Sequence, residues 1–102
     1  VTVTFPEFEN EALQLGFDEV IERSWDSHLE LGTHTHLFAA RAIVVRGEMW
    51  LTVEARTRHL RPGDTFELAA NVPHSERYGA EGATYWVARR HGASTADRSL
   101  KP

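Results

Sequence analysis

A chain of 102 residues, 41% hydrophobic and 25% charged, has the composition of one small globular domain. Such a chain buries only a little over about 60% of its unfolded surface, which leaves no room for a second core, so one domain is expected over 1–102, with its core at about 18–91. The net charge is −4, and the one local basic cluster, Arg56, Arg58 and Arg61 around His59, is too small to track a phosphate backbone; nucleic-acid binding by this chain is not expected. There is no cysteine, which excludes disulfides, thiolate ligands and cysteine nucleophiles and makes a reducing cytoplasm the default location. No apolar run approaches the roughly 20 residues of a membrane span and no signal peptide opens the chain, although Val1 in place of Met suggests that a few residues have been trimmed.

In chain order, the first element reads as a helix. Between Pro6 and Phe17 the apolar residues Phe8, Ala12, Leu13 and Leu15 recur at spacings near four, Pro6 suits the first turn, acidic residues favour its positive end, and Gly16 supplies a stop. After Gly16 the period changes. Val20–Trp25, Leu29–His36, Ala42–Val45, Met49–Val53, Arg58–Leu60, Thr65–Leu68, His74–Arg77 and Thr84–Arg89 are short segments rich in β-branched and aromatic residues. Gly32, Gly47, Pro62-Gly63-Asp64, Asn71, Pro73, Gly79 and Gly82 punctuate them with turn chemistry. These eight short strands predict an all-β sandwich or barrel preceded by a short helix. The polar tail, 92–102, is expected to fray.

Chemistry is concentrated in the histidines. Alternate side chains of a strand share a face, so His34 and His36 can direct two imidazoles at one metal ion. Alone, an H-x-H pair is more often a solvent-facing feature than a site. Its surroundings change that. Gly32-Thr33-His34-Thr35-His36 is followed at family spacing by Ala40 and Gly47, and a second block runs Pro62-Gly63-Asp64 to Pro73-His74. This pair of motifs resembles the cupin family, including its small single-domain and AraC-type sensor-like members. The resemblance covers nearly half of the chain and implies a double-stranded β-helix, the cupin jelly-roll barrel, holding a metal on His34, His36 and His74.

Departures from the family pattern bear on the chemistry, among them Ala69 where the second motif has Pro. The family's metal-binding glutamate falls on Ala40, which cannot coordinate, and the adjacent Arg41 should face the other way. The second motif's Gly is Asn71, a residue that tolerates a left-handed turn, and its terminal Asn is Tyr78. A three-histidine site would leave the metal's charge uncompensated and favour anionic oxygen ligands. Glu76 shares the face of His74 and is a candidate fourth ligand or an acceptor orienting an imidazole; a satisfied charge at the barrel mouth is the competing reading. Imidazole donors suit Fe, Zn, Mn, Ni or Cu.

Phe38, Ala40, Met49 and Trp86 are expected in the pocket wall. His28 and Glu30 have the parity of His34 and would lie near it unless Gly32 marks a bulge. His59 and His91 read as surface residues, and Trp25 has no assigned place. The function implied is a mononuclear metal-binding cupin, either a non-haem oxygenase-like or isomerase-like enzyme acting on a small organic molecule, or a non-catalytic domain that senses a small ligand. Open strand edges, together with the resemblance, imply a homodimer.

Overall fold

A computed structural model describes residues 2–91, so the 92–102 tail lies outside the described residues. The elements run α1 (Phe5–Gln14), β1 (Glu19–Trp25), β2 (Glu30–His34), β3 (Ala39–Val53), β4 (Arg56–Leu60), β5 (Thr65–Leu68) and β6 (His74–Arg90). The protein is all-β with one short helix, as expected. The helix starts from a capping box: Glu7 N–H donates to Thr4 Oγ1 (3.3 Å) while Thr4 N–H donates to Glu7 Oε1 (2.9 Å). It ends before the expected Phe17, because Leu15 leaves the helical conformation and Gly16 turns left-handed at φ +94°. Of its anticipated apolar stripe only Phe8 and Ala12 are buried, whereas Leu13 and Leu15 are exposed.

Six strands appear where eight were expected. The glycines read as strand ends at 47, 79 and 82 lie inside two long strands, β3 (15 residues) and β6 (17 residues). These pair antiparallel from Ala39↔Arg90 to Val53↔His74, with register shifts between Val44 and Arg46 and between Gly47 and Met49. Such bulges bend a strand sharply, so each long strand crosses from one half of the barrel to the other. One half of β6 pairs with β1 and the other with β2; β3 divides in the same way between β5 and β4.

At the bend Gly47 (φ +75°) and Gly82 (φ +68°) face each other. A Cβ on Gly47 would collide with the Gly82 carbonyl oxygen, and one on Gly82 with the Trp25 carbonyl oxygen. Both sites combine a left-handed backbone with rigid main-chain neighbours. Gly82→Ala is therefore expected to cost about 2–3 kcal/mol and lower Tm by roughly 10 °C or more, read by thermal denaturation. A shift of only a degree or two would mean that the bend is not under this constraint.

Alternation sorts the side chains into two layers. Ala42, Val44, Met49, Leu51, Leu60, Phe66, Tyr78, Tyr85 and Val87 point inward to the main core. Ile43, Ala88, Val20 and Trp86, on the opposite face, meet Phe8 and Ala12 of the helix. Arg41 does face away from Ala40, pairing with Glu11 (3.2 Å) and Glu67 (3.5 Å).

Candidate metal centre

The second block of motif residues determines where the site forms. Pro62-Gly63-Asp64 makes its turn with Gly63 at φ +97° and the Asp64 carboxylate accepting from Arg61 N–H (2.8 Å). Asn71 takes the left-handed turn at φ +66°, and its N–H donates to the His36 carbonyl (2.7 Å). That bond ties the first histidine motif to the turn that introduces His74. His34 is then the direct cross-strand partner of His74 at the start of β6.

The imidazoles of His34, His36 and His74 converge, with ring centroids 4.9 Å (34–36), 4.4 Å (34–74) and 5.1 Å (36–74) apart. Glu76 joins them. Its Oε2 lies 3.5 Å from Nε2 of both His34 and His74, and one ligand atom from each of the four residues falls within 4.8 Å of every other. Donors about 2.0–2.1 Å from a tetrahedral ion stand roughly 3.3 Å apart, so the two Glu76 separations already match and the widest requires modest contraction. This is a cluster that could hold a metal ion.

Three further observations fit that use. Nδ1 of His34 lies 2.6 Å from the Gly32 carbonyl and Nδ1 of His74 lies 2.9 Å from the Val72 carbonyl. A carbonyl accepts only from a protonated nitrogen, so in the neutral tautomer that donates these bonds Nε2 is the nitrogen carrying the lone pair. Nε2 of His74 is buried yet has no hydrogen-bond partner among the described residues, an arrangement proteins avoid unless something else is bound there. Burial, and then the charges of His74 and His34, hold the His36 pKa below the usual imidazole value; this favours the neutral, ligating form.

Around Glu76 lies a set of aromatic hydroxyls. Tyr78, almost fully buried, donates to Glu76 Oε1, leaving Oε2 toward the histidines. Burial, the nearby Tyr85 and the Glu76 carboxylate raise the Tyr78 pKa far above its ordinary value, so its phenol stays protonated. The Tyr85 pKa is also raised, chiefly by burial and then by Glu76, and its oxygen accepts from Trp25 Nε1 (3.0 Å). Trp25, unplaced from sequence, stacks on Tyr78 with centroids 5.7 Å apart.

The four residues of the cluster line a cavity of about 100 Å³. Phe38 and Ala40 line it as expected, with Leu31, Phe66, Leu68 and Val87. Two expected wall residues do not. Met49 is fully buried in the core, and Trp86 lies on the other face of β6, edge-on to Phe5 (5.4 Å) and donating to Glu22 (3.0 Å). For Trp86 strand parity is the reason, since Tyr85 and Val87 take the inward positions; Met49 points inward but is covered by its core neighbours. The register shift between Leu31 and His34 places both of these in the wall. Among the described residues His28 and Glu30 are not part of that lining, because the register shift between Leu31 and His34 breaks the parity that would have placed them there. His59 lies outside the cavity, stacked on Trp50 at 4.4 Å and paired with Glu48 at 2.7 Å. His91 is half-exposed near Phe38 and Glu19. Tyr85, a further apolar candidate for the wall from its strand position, lines the cavity, whereas Arg23, Trp25 and Arg89 were missed as lining residues. The alternation of Tyr85, Val87 and Arg89 was a signal available for the last of them.

Comparison with known proteins agrees with this geometry. Residues 10–95 match the AraC-like ligand-binding domain family. The chain belongs to that family. Part of this AraC-like domain, 38 residues, is 45% identical to an uncharacterized HTH-type transcriptional regulator of Haemophilus influenzae, covering 37% of this chain and 13% of that protein. Among solved structures, one described under "DMSP lyases RdDddP and RnDddQII" superposes with a TM-score of 0.67 at 30% identity, over 76% of the AraC-like domain and 40% of that chain. An RmlC-like cupin from Shewanella frigidimarina superposes with a TM-score of 0.60 at 23% identity, over 69% and 63%. The fold is the cupin jelly roll. The AraC-like domain spans well under half the length of the lyase and regulator chains. No helix among its described residues is long and apolar enough to cross a membrane.

Proposed function

We propose that this domain binds a small molecule at a single divalent transition-metal ion held by His34, His36, His74 and Glu76, which makes Glu76 the carboxylate that Ala40 does not supply. The observation that carries the proposal is the buried, unpartnered Nε2 of His74 beside the buried Glu76 carboxylate. A buried carboxylate is costly without a cation to offset it. Three nitrogen donors and one oxygen donor suit Zn, Fe, Mn, Ni or Cu. When bound, the ion supplies a Lewis acid for an oxygen-bearing ligand. The chain's own groups do the rest. The Gly32 and Val72 carbonyls fix the imidazoles, Tyr78 orients Glu76, and Phe38, Phe66, Leu68 and Val87 supply the apolar part of the cavity wall.

Elemental analysis of protein purified without added metal is expected to find about one equivalent of one of these metals, and its removal by a chelator to lower Tm by several degrees. Protein that carries no metal and gains no stability from any of them would refute the proposal.

A second reading, catalysis, is favoured by the 30% identity to a structure described under DMSP lyases. Consumption of DMSP by the metal-loaded protein, absent from Tyr85→Phe, would support it. A homodimer through the outer edge of β4 (Arg56–Leu60), which pairs with β3 alone among the described strands, completes the proposal and is checked by sedimentation mass.

A further inference from the structure

The histidine–glutamate cluster is part of the cavity lining; the other charged groups among its described lining residues are two arginines. Arg23 and Arg89 both line it. Among the described residues Arg23 forms no ion pair and Arg89 forms one, a long one. The Arg23 guanidinium lies over the Trp25 ring at 4.5 Å. The nearest carboxylate to Arg89 is Glu19, 3.8 Å from Nη1, which is longer than a hydrogen bond and half-exposed, so the pair is weak. Nε of Arg89 is buried without a hydrogen-bond partner. The Arg89 side chain is four-fifths buried over Phe38 (4.6 Å) and belongs to the cavity wall, and its planar guanidinium is a fork that matches a carboxylate. His36 stacks on the same Phe38 ring at 4.7 Å, so one phenyl group links the guanidinium to the cluster.

We propose that Arg89 is a carboxylate anchor and that the ligands of this cavity are short organic carboxylates, paired with the Arg89 guanidinium and lying along Phe38 and Val87 toward the histidine–glutamate cluster. This rests on the ligand site proposed above and deepens it by naming the ligand class. Size agrees, because about 100 Å³ admits a molecule of only a few carbons. Charge agrees too. The chain is acidic overall at −4, yet the cavity gathers two guanidinium groups against one carboxylate, and this field selects anions.

The test titrates the full chain, as purified and after loading with zinc, with butyrate and with the uncharged isostere butyramide, reading binding heat and Tm, with metal content measured in parallel. Butyrate is expected to bind saturably and butyramide at least about tenfold more weakly; Arg89→Gln should weaken butyrate about ten- to hundredfold while leaving metal content unchanged. Equal binding of butyrate and butyramide, no butyrate binding, or undiminished butyrate affinity in Arg89→Gln overturns the anchor. Should Arg89→Gln not fold, Arg89→Lys keeps the stem and charge but not the fork. About tenfold weaker butyrate binding in that variant supports the anchor, and wild-type affinity overturns it. Arg89-dependent butyrate binding in a chain that takes up no metal would uphold the anchor and refute the metal site. Metal uptake without Arg89-dependent binding would do the reverse.

Discussion

Protein carrying His74→Ala is expected to retain no measurable metal while remaining folded. His74 is the most buried of the three imidazoles and the direct cross-strand partner of His34. Its removal deletes one of four donors. Four-ligand structural zinc sites bind with about 10–16 kcal/mol, so one ligand contributes roughly 3–4 kcal/mol, a two- to three-decade loss of affinity. The same substitution removes a buried ring bonded to the Val72 carbonyl, and the cavity left behind should cost about 1–3 kcal/mol of stability. It also removes an unsatisfied nitrogen, which offsets part of that cost. The two effects separate by measurement. Metal content falls to background, whereas thermal unfolding stays cooperative at a Tm lower by about 5–15 °C. Undiminished metal content would remove His74 from the ligand set.

The second large effect is expected at Glu76. Glu76→Ala takes away the oxygen donor and leaves the buried Tyr78 hydroxyl without its acceptor. Metal affinity should fall about a hundredfold or more, and the orphaned phenol should add about 1–3 kcal/mol of destabilisation. Tyr78→Phe separates the two roles. It keeps all four donors and removes only the group that orients the carboxylate, so its loss of metal affinity is expected to be smaller, about tenfold. If Glu76→Ala and Tyr78→Phe bind metal as tightly as the unaltered chain, Glu76 is a buried charge with no part in the site, and the centre is held by histidines alone.

The legibility of this site varied with how locally each feature is encoded. His34, His36, His74 and Glu76 were readable because each pair sits two residues apart, a spacing that places both side chains on one face wherever the strand runs. Asn71 was readable because few other residues accept φ +66°. The error over Trp86 came from the same parity applied without a register. Val87 and Trp86 are both apolar, and the partners on β1 and β3, more than 40 residues away in sequence, decide which one faces the cavity. Met49 points inward but is covered by the core. Trp25 and Arg23 reach the cavity only because β1 pairs with the outer half of β6, a contact that no local pattern encodes. Gly47 and Gly82 mark bends within strands rather than strand ends, a distinction between bulge and turn that depends on the partner strand.

One further residue, Ala40, bears on the proposed ligand set. Ala40 stands in the cavity wall where the family motif has its glutamate, and it pairs across the sheet with Leu68 and Arg89. In this chain a carboxylate reaches the cluster from β6 instead, two residues beyond His74 and already bonded to Tyr78. A donor set of three nitrogens and one oxygen can thus arise from a rearranged motif, with the β3 position left small.

X-ray absorption spectroscopy on the metal-bearing protein tests the central claim most directly. The account predicts an inner coordination shell of three imidazole nitrogens and at least one oxygen at about 2.0–2.2 Å, with the imidazole signal reduced in His74→Ala. A shell of oxygen atoms alone, unchanged by that substitution, would contradict it.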